Sequence, residues 1–243
     1  MIRILILCIL SSTLLYGRTV YTIIACDTIT PLRIATEYDL LHMQKMARTT
    51  AKLLKASLHL HKKIGKELSL QSIATCLKRV RKAKKHDILL FYYSGHGFQK
   101  NNKKSPWPHL FFPHKHEMIG MQAIVKKLTN TKAGLKIILF DCCNNQPQTL
   151  NSPLLHKTAP MNWTLQKASR SLFHQKGTIV AIGASPGQPA LAMTNGSLFT
   201  NAFLFSLQTE SHKDFVSWQS IFKKTKELCE QRNQTPFITI MLK

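Results

Sequence analysis

An α/β fold with a mostly parallel sheet and helices on both faces is what this chain predicts, and three observations carry the prediction. The runs Asp87–Tyr93, Lys136–Cys142 and Thr178–Ala184 read as strands buried on both faces. Segments with apolar residues at helical spacing lie among them. Strand and helix alternate along the chain, the arrangement that stacks helices on either side of one parallel sheet. At 243 residues and 44% hydrophobic content, the chain suffices for one large domain with its core.

Taken in order, Arg3 gives a small positive start, residues 4–16 form a mostly apolar run, and Gly17 offers a small residue at a cleavage point. Residues 1–17 are therefore read as a signal peptide, too short for the roughly 20 residues of a membrane span, and 18–243 as a single domain. The protein is exported, periplasmic or secreted, if that leader is removed, and cytoplasmic otherwise. Val20–Ala25 is the first strand. Thr36 followed by Asp39 reads as a capping box opening a helix to about Leu54. Ser69 opens a second helix through Ile73, Leu77 and Val80; its far face carries Lys78, Arg79, Arg81, Lys82, Lys84 and Lys85, a solvated surface. Gln99–Ser105 is a polar loop, Leu110–Phe112 a short strand, and Ile119–Leu128 a third helix. About residues 144–176, broken by Pro147, Pro153 and Pro160, form an irregular linker. Ser185–Pro189 is a turn, helices follow at Leu198–Leu207 and Trp218–Gln231, and Pro236–Leu242 closes as a strand.

Lys and Arg number 34 against 11 Asp and Glu, a formal charge of +23. This excess attracts anionic surfaces, so nucleic acid or another polyanion enters as a partner class, but sign alone carries no specificity. The Lys-rich helix end lacks the interleaved aromatics that stack bases. Outside the leader, Cys26, Cys76, Cys142, Cys143 and Cys229 are odd in number and irregular in spacing, neither a disulfide framework nor a zinc site. His109, His114 and His116 lack carboxylate or cysteine partners at helical spacing. No metal or other cofactor is expected.

The chemistry concentrates at two strand ends, Tyr93-Ser94-Gly95-His96-Gly97 and Phe140-Asp141-Cys142-Cys143. The ends of strands in α/β sheets are where reactive groups gather. Side chains alternate along a strand, so Asp141 and Cys143 share a side while Cys142 turns to the packing face. Cys143 is thus the candidate nucleophile and His96 the proton carrier. The amides of Gly97 and Cys143 are candidate donors to a developing oxyanion.

On these motifs the chain resembles the caspase-like cysteine peptidases, especially their metacaspase and paracaspase side. Ser94-Gly95-His96-Gly97 matches that family's histidine motif, and Asp141-Cys142-Cys143 its Asp-x-Cys strand ending. Ala184-Ser185-Pro186-Gly187-Gln188-Pro189-Ala190 with Gly196-Ser197-Leu198-Phe199-Thr200 resembles the segment after the fifth strand, and Gln234-Thr235-Pro236-Phe237 the entry to the last. The resemblance runs from Val20 to Leu242. It implies a three-layer sandwich of about six strands, the last antiparallel, and a cysteine endopeptidase acting on protein or peptide substrates, with Ser185 in the substrate cleft. Asn144-Asn145-Gln146 stand where many metacaspases have His-Ser-Gly, and His114 follows Pro113 where an acidic residue is common. The acidic clusters of calcium-activated members are missing, so calcium dependence is not expected.

Specificity is read two ways. Asp141 resembles the carboxylate that selects Arg or Lys before the cleaved bond. Arg33-Ile34-Ala35-Thr36-Glu37-Tyr38-Asp39 resembles the stretch whose arginine selects aspartate in animal caspases. The two charges could also pair with each other. A basic residue is preferred, because strand geometry ties Asp141 to Cys143 while Arg33 is read on a loop. Lys157, Lys167, Arg170 and Lys176 are then candidate cut points within the linker. A catalytically idle binding protein and a polyanion-binding protein are the rival readings.

Overall fold

The computed structural model describes residues 17–100, 105–146, 164–165 and 167–243. The expected leader up to residue 16, the middle of the polar loop and most of the linker, with Lys157 and the side chain of Lys167, lie outside these. The elements in chain order are β1 (Thr19–Cys26), α1 (Arg33–Leu54), β2 (Ser57–Ile64), α2 (Leu70–Arg79), β3 (Ile88–Ser94), β4 (Gly97–Phe98), β5 (His109–Phe112), β6 (Glu117–Gly120), α3 (Met121–Thr129), β7 (Leu135–Asp141), β8 (Gly177–Ile182), β9 (Ala192–Met193), β10 (Gly196–Ser197), α4 (Leu198–Glu210), α5 (Trp218–Glu230) and β11 (Phe237–Leu242).

Six strands make the central sheet in the order β11-β8-β7-β3-β1-β2. Five run parallel, and β11 lies antiparallel on β8. The chain steps from β1 outward to β2, then returns across β1 and builds β3, β7 and β8 on the other side. The direction of winding therefore reverses between β1 and β3, and a crevice opens at the carboxyl ends of strands there. Asp27 follows β1, His96 follows β3, and Cys143 follows β7.

Alternation along the strands divides the core. Leu90, Tyr92, Ile137 and Leu139 pack with Met43 of α1, Phe203 of α4 and Trp218 and Phe222 of α5. Phe91, Tyr93, Ile138, Phe140 and Cys142 pack with Ile73 and Leu77 of α2 and Ile124 and Leu128 of α3. Each large side chain so buried contributes about 1.5–3 kcal/mol. On the second face, β4, β5 and β6 form a small antiparallel sheet, and β9 pairs with β10 in a separate hairpin. Among the described residues, no helix is long and apolar enough to cross a membrane.

Three expectations need correction. α1 begins at Arg33, so Thr36 lies within it and is no cap; its hydroxyl donates to the Asp27 carbonyl at 2.6 Å. Strand β2 went unforeseen, because its alternating Leu58-His59-Leu60-His61 is followed by two lysines and occupies an edge. Ile119 belongs to β6, not to the third helix. Ser69 does open α2, and it does so in a capping box: Ser69 Oγ accepts from the Ser72 amide at 3.1 Å and Ser72 Oγ accepts from the Ser69 amide at 3.0 Å.

Candidate active site

The loops leaving β1, β3, β7 and β8 are laced together by their backbones. The Asp27 amide donates to the Ser94 carbonyl at 2.9 Å, Gly95 to Asp141 at 3.2 Å, and Gly183 to Phe140 at 2.7 Å. Ser94 and Asp141 are opposite each other in the register of β3 and β7. His96 and Cys143 each stand two residues beyond that pair, in the loops that leave these neighbouring strands.

Both glycines flanking His96 are demanded by space. A Cβ on Gly95 would lie 2.9 Å from the Tyr93 hydroxyl oxygen, and one on Gly97 would lie 2.6 Å from the Cys143 carbonyl oxygen and 2.7 Å from Cys142 Sγ. That closeness brings β4 against the end of β7. Gly97 is opposite Leu110, and the Phe111 amide donates to the His96 carbonyl at 3.1 Å. Gly97 thus occupies a narrow pair of the ladder, and its N–H turns away from β5. The Tyr93 hydroxyl donates to the His96 carbonyl at 2.7 Å and fixes the loop from beneath.

His96 Nε2 lies 3.2 Å from Thr30 Oγ1 and 3.7 Å from Asp27 Oδ2. The Thr30 hydroxyl donates to that same Asp27 oxygen at 3.1 Å, so the threonine oxygen is left to accept from Nε2–H. This relay puts the imidazole proton on Nε2 and leaves Nδ1 as the proton acceptor. Burial holds the imidazole below its usual range, and the Asp27 carboxylate opposes the shift.

Cys143 Sγ accepts from the Ala190 amide at 3.3 Å. Burial pushes the thiol up, the Ala190 amide works against that, and the Asp141 charge adds to it. Cys142 is buried on the opposite face. Asn144, one of the departures from the resembled motif, is a clamp: its Nδ2 donates to the carbonyls of Pro106 at 3.0 Å and Ala184 at 3.2 Å, and its backbone pairs with Gln188 and Gly187. Gln234 holds the same segment, accepting from the Leu191 amide and donating to the Gly183 carbonyl. Ser185 sits in this clamped turn, its amide donating to the Thr235 carbonyl at 2.7 Å.

Asp141 is buried beside Cys143. Its Oδ2 accepts from the amide and hydroxyl of Thr200 at 2.9 and 2.7 Å, whereas Oδ1 is buried without a partner. A second buried carboxylate, Asp39, accepts from the hydroxyls of Ser94 and Ser197 at 2.7 and 2.6 Å and from the Ser197 amide at 2.8 Å. Burial, then the Asp39 charge, push Asp141 up to about 8, against the Thr200 hydrogen bonds. Cys143, Asp141, Ser197, Ala190 and Thr36 line one small cavity of about 30 Å³. Because a water needs about 10–15 Å³ of such space, the cavity has room for a water or two and none for a long side chain.

Arg33 takes no part in this arrangement. It sits in the first turn of α1, not on a loop, and its exposed guanidinium pairs with Glu37 at 2.8 Å and not with Asp141. Asp27, Thr30, Asp39 and Thr200 were all missed as site residues. For Asp39 a signal existed: Ala35, Asp39 and Met43 recur at i, i+4 and i+8, an acid within the apolar stripe of its helix. His109, His114 and His116 belong to the β5–β6 hairpin, and among the described residues no cluster of metal-binding side chains occurs.

Residues 29–243 match the family model described as the caspase domain, and the chain belongs to that family of caspase-like peptidases. A comparison with curated proteins finds no match.

Proposed function

We propose that this caspase-domain protein is a cysteine endopeptidase that cleaves after a basic residue, with Cys143 and His96 as its catalytic pair. The observation that carries the reading is the strand register: His96 and Cys143 each follow by two residues the paired Ser94 and Asp141 at the ends of neighbouring strands, and Cys143 and Asp141 line one cavity. Nδ1 of His96 takes the thiol proton, and Sγ attacks the peptide carbonyl. The amides of Gly97 and Cys143 hold the resulting oxyanion. As the C–N bond breaks, the imidazolium delivers its proton to the leaving amine. Water, deprotonated by His96, then hydrolyses the thioester, and the proton returns to sulfur. Asp27 and Thr30 act through the imidazole, holding its tautomer and stabilising the imidazolium.

Asp141 and Asp39 supply the negative pocket that selects Arg or Lys. The unpartnered Oδ1 supports this role, because a buried acceptor without a donor calls for one from a ligand. Since the described cavity does not hold such a side chain, the segment Ser185–Ala192 has to shift and release the thiol from the Ala190 amide. Arg170 and Lys176, both exposed, are candidate autoprocessing points together with Lys157 and Lys167; an unchanged intact mass of active enzyme would remove that part of the reading.

The test is a fluorogenic peptide panel varying only the residue before the scissile bond. Arg and Lys peptides are expected to be cleaved and the Asp peptide spared, with all cleavage abolished by Cys143→Ala. Signal that persists undiminished in Cys143→Ala would reject the mechanism.

A further inference from the structure

The opposite end of the sheet, where the parallel strands begin, holds a cavity of about 300 Å³ that the peptidase reading does not use. Its lining includes Arg18, Lys85, His86, Asp87, His174 and Lys176. Arg18 Nε donates to the His86 carbonyl at 2.7 Å, which fixes the guanidinium. Its Nη1 is buried and meets no acceptor, and a buried charged donor in that condition calls for a partner. Asp87 does not fill the need: its oxygens accept from the amides of Thr19 at 2.8 Å and Lys84 at 2.7 Å.

Around the cavity, three permanent cations (Arg18, Lys85 and Lys176) stand against one carboxylate, Asp87. Burial lowers the pKa of Arg18 and of His174; the Asp87 charge opposes this at Arg18, the Arg18 charge adds to it at His174, and nearby Arg170 adds a smaller push in the same direction at both. The wall is firm on its strand side: Gly134 packs on the Lys85 carbonyl with no room for a Cβ, while its amide donates to the Asp87 carbonyl at 2.9 Å and its carbonyl accepts from the Gly177 amide at 2.8 Å.

From this arrangement we infer that the cavity binds a small multivalent oxyanion of the phosphate-ester or polyphosphate class. A guanidinium fixed on one side with an open donor, in a cavity whose lining also includes Lys85 and Lys176, suits an oxyanion that accepts at several points. The volume is at the small end of ligand sites, which favours a free phosphorylated molecule over a nucleic-acid duplex.

The test is calorimetric titration of the full chain with inorganic pyrophosphate at fixed ionic strength. Binding is expected in the wild type and at least about tenfold weaker in Arg18→Gln and in Lys176→Gln, the loss of one charge-assisted hydrogen bond. Lys115→Gln, on the β5–β6 turn, is expected to change nothing. Lys176 is exposed, so its variant keeps the test valid if Arg18→Gln fails to fold. No binding up to millimolar pyrophosphate would overturn the inference. So would equal weakening by Lys115→Gln, or binding of a duplex oligonucleotide alone, since either means a diffuse charge effect.

Discussion

The two ends of the central sheet have opposite characters in a chain of net charge +23. At the carboxyl ends lie Asp27, Asp39 and Asp141, three of the five aspartates in the whole sequence, all buried, with Asp141 lining a cavity of about 30 Å³. At the amino ends, the lining of a cavity ten times larger includes three cations, Arg18, Lys85 and Lys176, against the single carboxylate of Asp87. Overall charge therefore says little about the field at either place. A strongly basic exterior argues against basic substrates, yet the charge that acts on Cys143 is that of Asp141, whose Coulomb effect is magnified by burial. Steering by the surface and selection within a pocket are separate effects.

The sharpest way to break this contrast is to remove the carboxylate nearest Cys143. Asp141→Asn is expected to lower kcat/KM for Arg peptides by about 30-fold or more, the range of a truncated buried charge pair. A change under threefold would mean that Asp141 selects nothing. The same carboxyl gives a pH signature. It is pushed up to about 8, so it is neutral well below that pH and charged above it. Preference for Arg over an uncharged residue of similar length should rise between pH 6.5 and 8.5, and a flat ratio would contradict the assignment.

A smaller effect is expected at Asp27. Asp27→Asn should lower kcat by about tenfold to a hundredfold, part of the 10²–10⁴ that acid–base catalysis supplies. Because the Asp27 charge raises the His96 pKa, its removal should also move the His96 limb of the pH–rate profile to lower pH. A purely structural role would leave that limb in place. The smallest effect belongs to Arg33→Ala. Its exposed pair with Glu37 contributes about 0.2–0.5 kcal/mol, so stability should change by no more than that and the peptide preference not at all. A switch in preference away from or towards Asp peptides would return Arg33 to the cleft.

What the sequence made legible follows from period and position. A two-residue period put Asp141 and Cys143 on one face and Cys142 on the other; Cys142 packs in the core shared with α2 and α3. Continuous apolar runs located β3, β7 and β8 because central parallel strands are buried on both sides. Edge strand β2 lacked that run. Asp39 was misread because Thr36-x-x-Asp39 fits a helix start equally well, and only the packing of α1 on β1 turns that carboxylate inward. The Asp27–Thr30–His96 relay joins residues 66 apart in the chain, and no local pattern announces it. Arg33 was read on a loop because its neighbours fit a motif; it lies in the first turn of α1, paired with Glu37 one turn on.

Most directly, the pairing of sulfur with imidazole can be tested by mapping adducts of an irreversible Arg-bearing peptidyl electrophile by mass spectrometry. The wild type should carry the adduct on Cys143, and His96→Ala should lose at least about 99% of the labelling rate, the lower bound of an acid–base contribution. Labelling that is equally fast without His96, or that falls on another cysteine, would contradict the account.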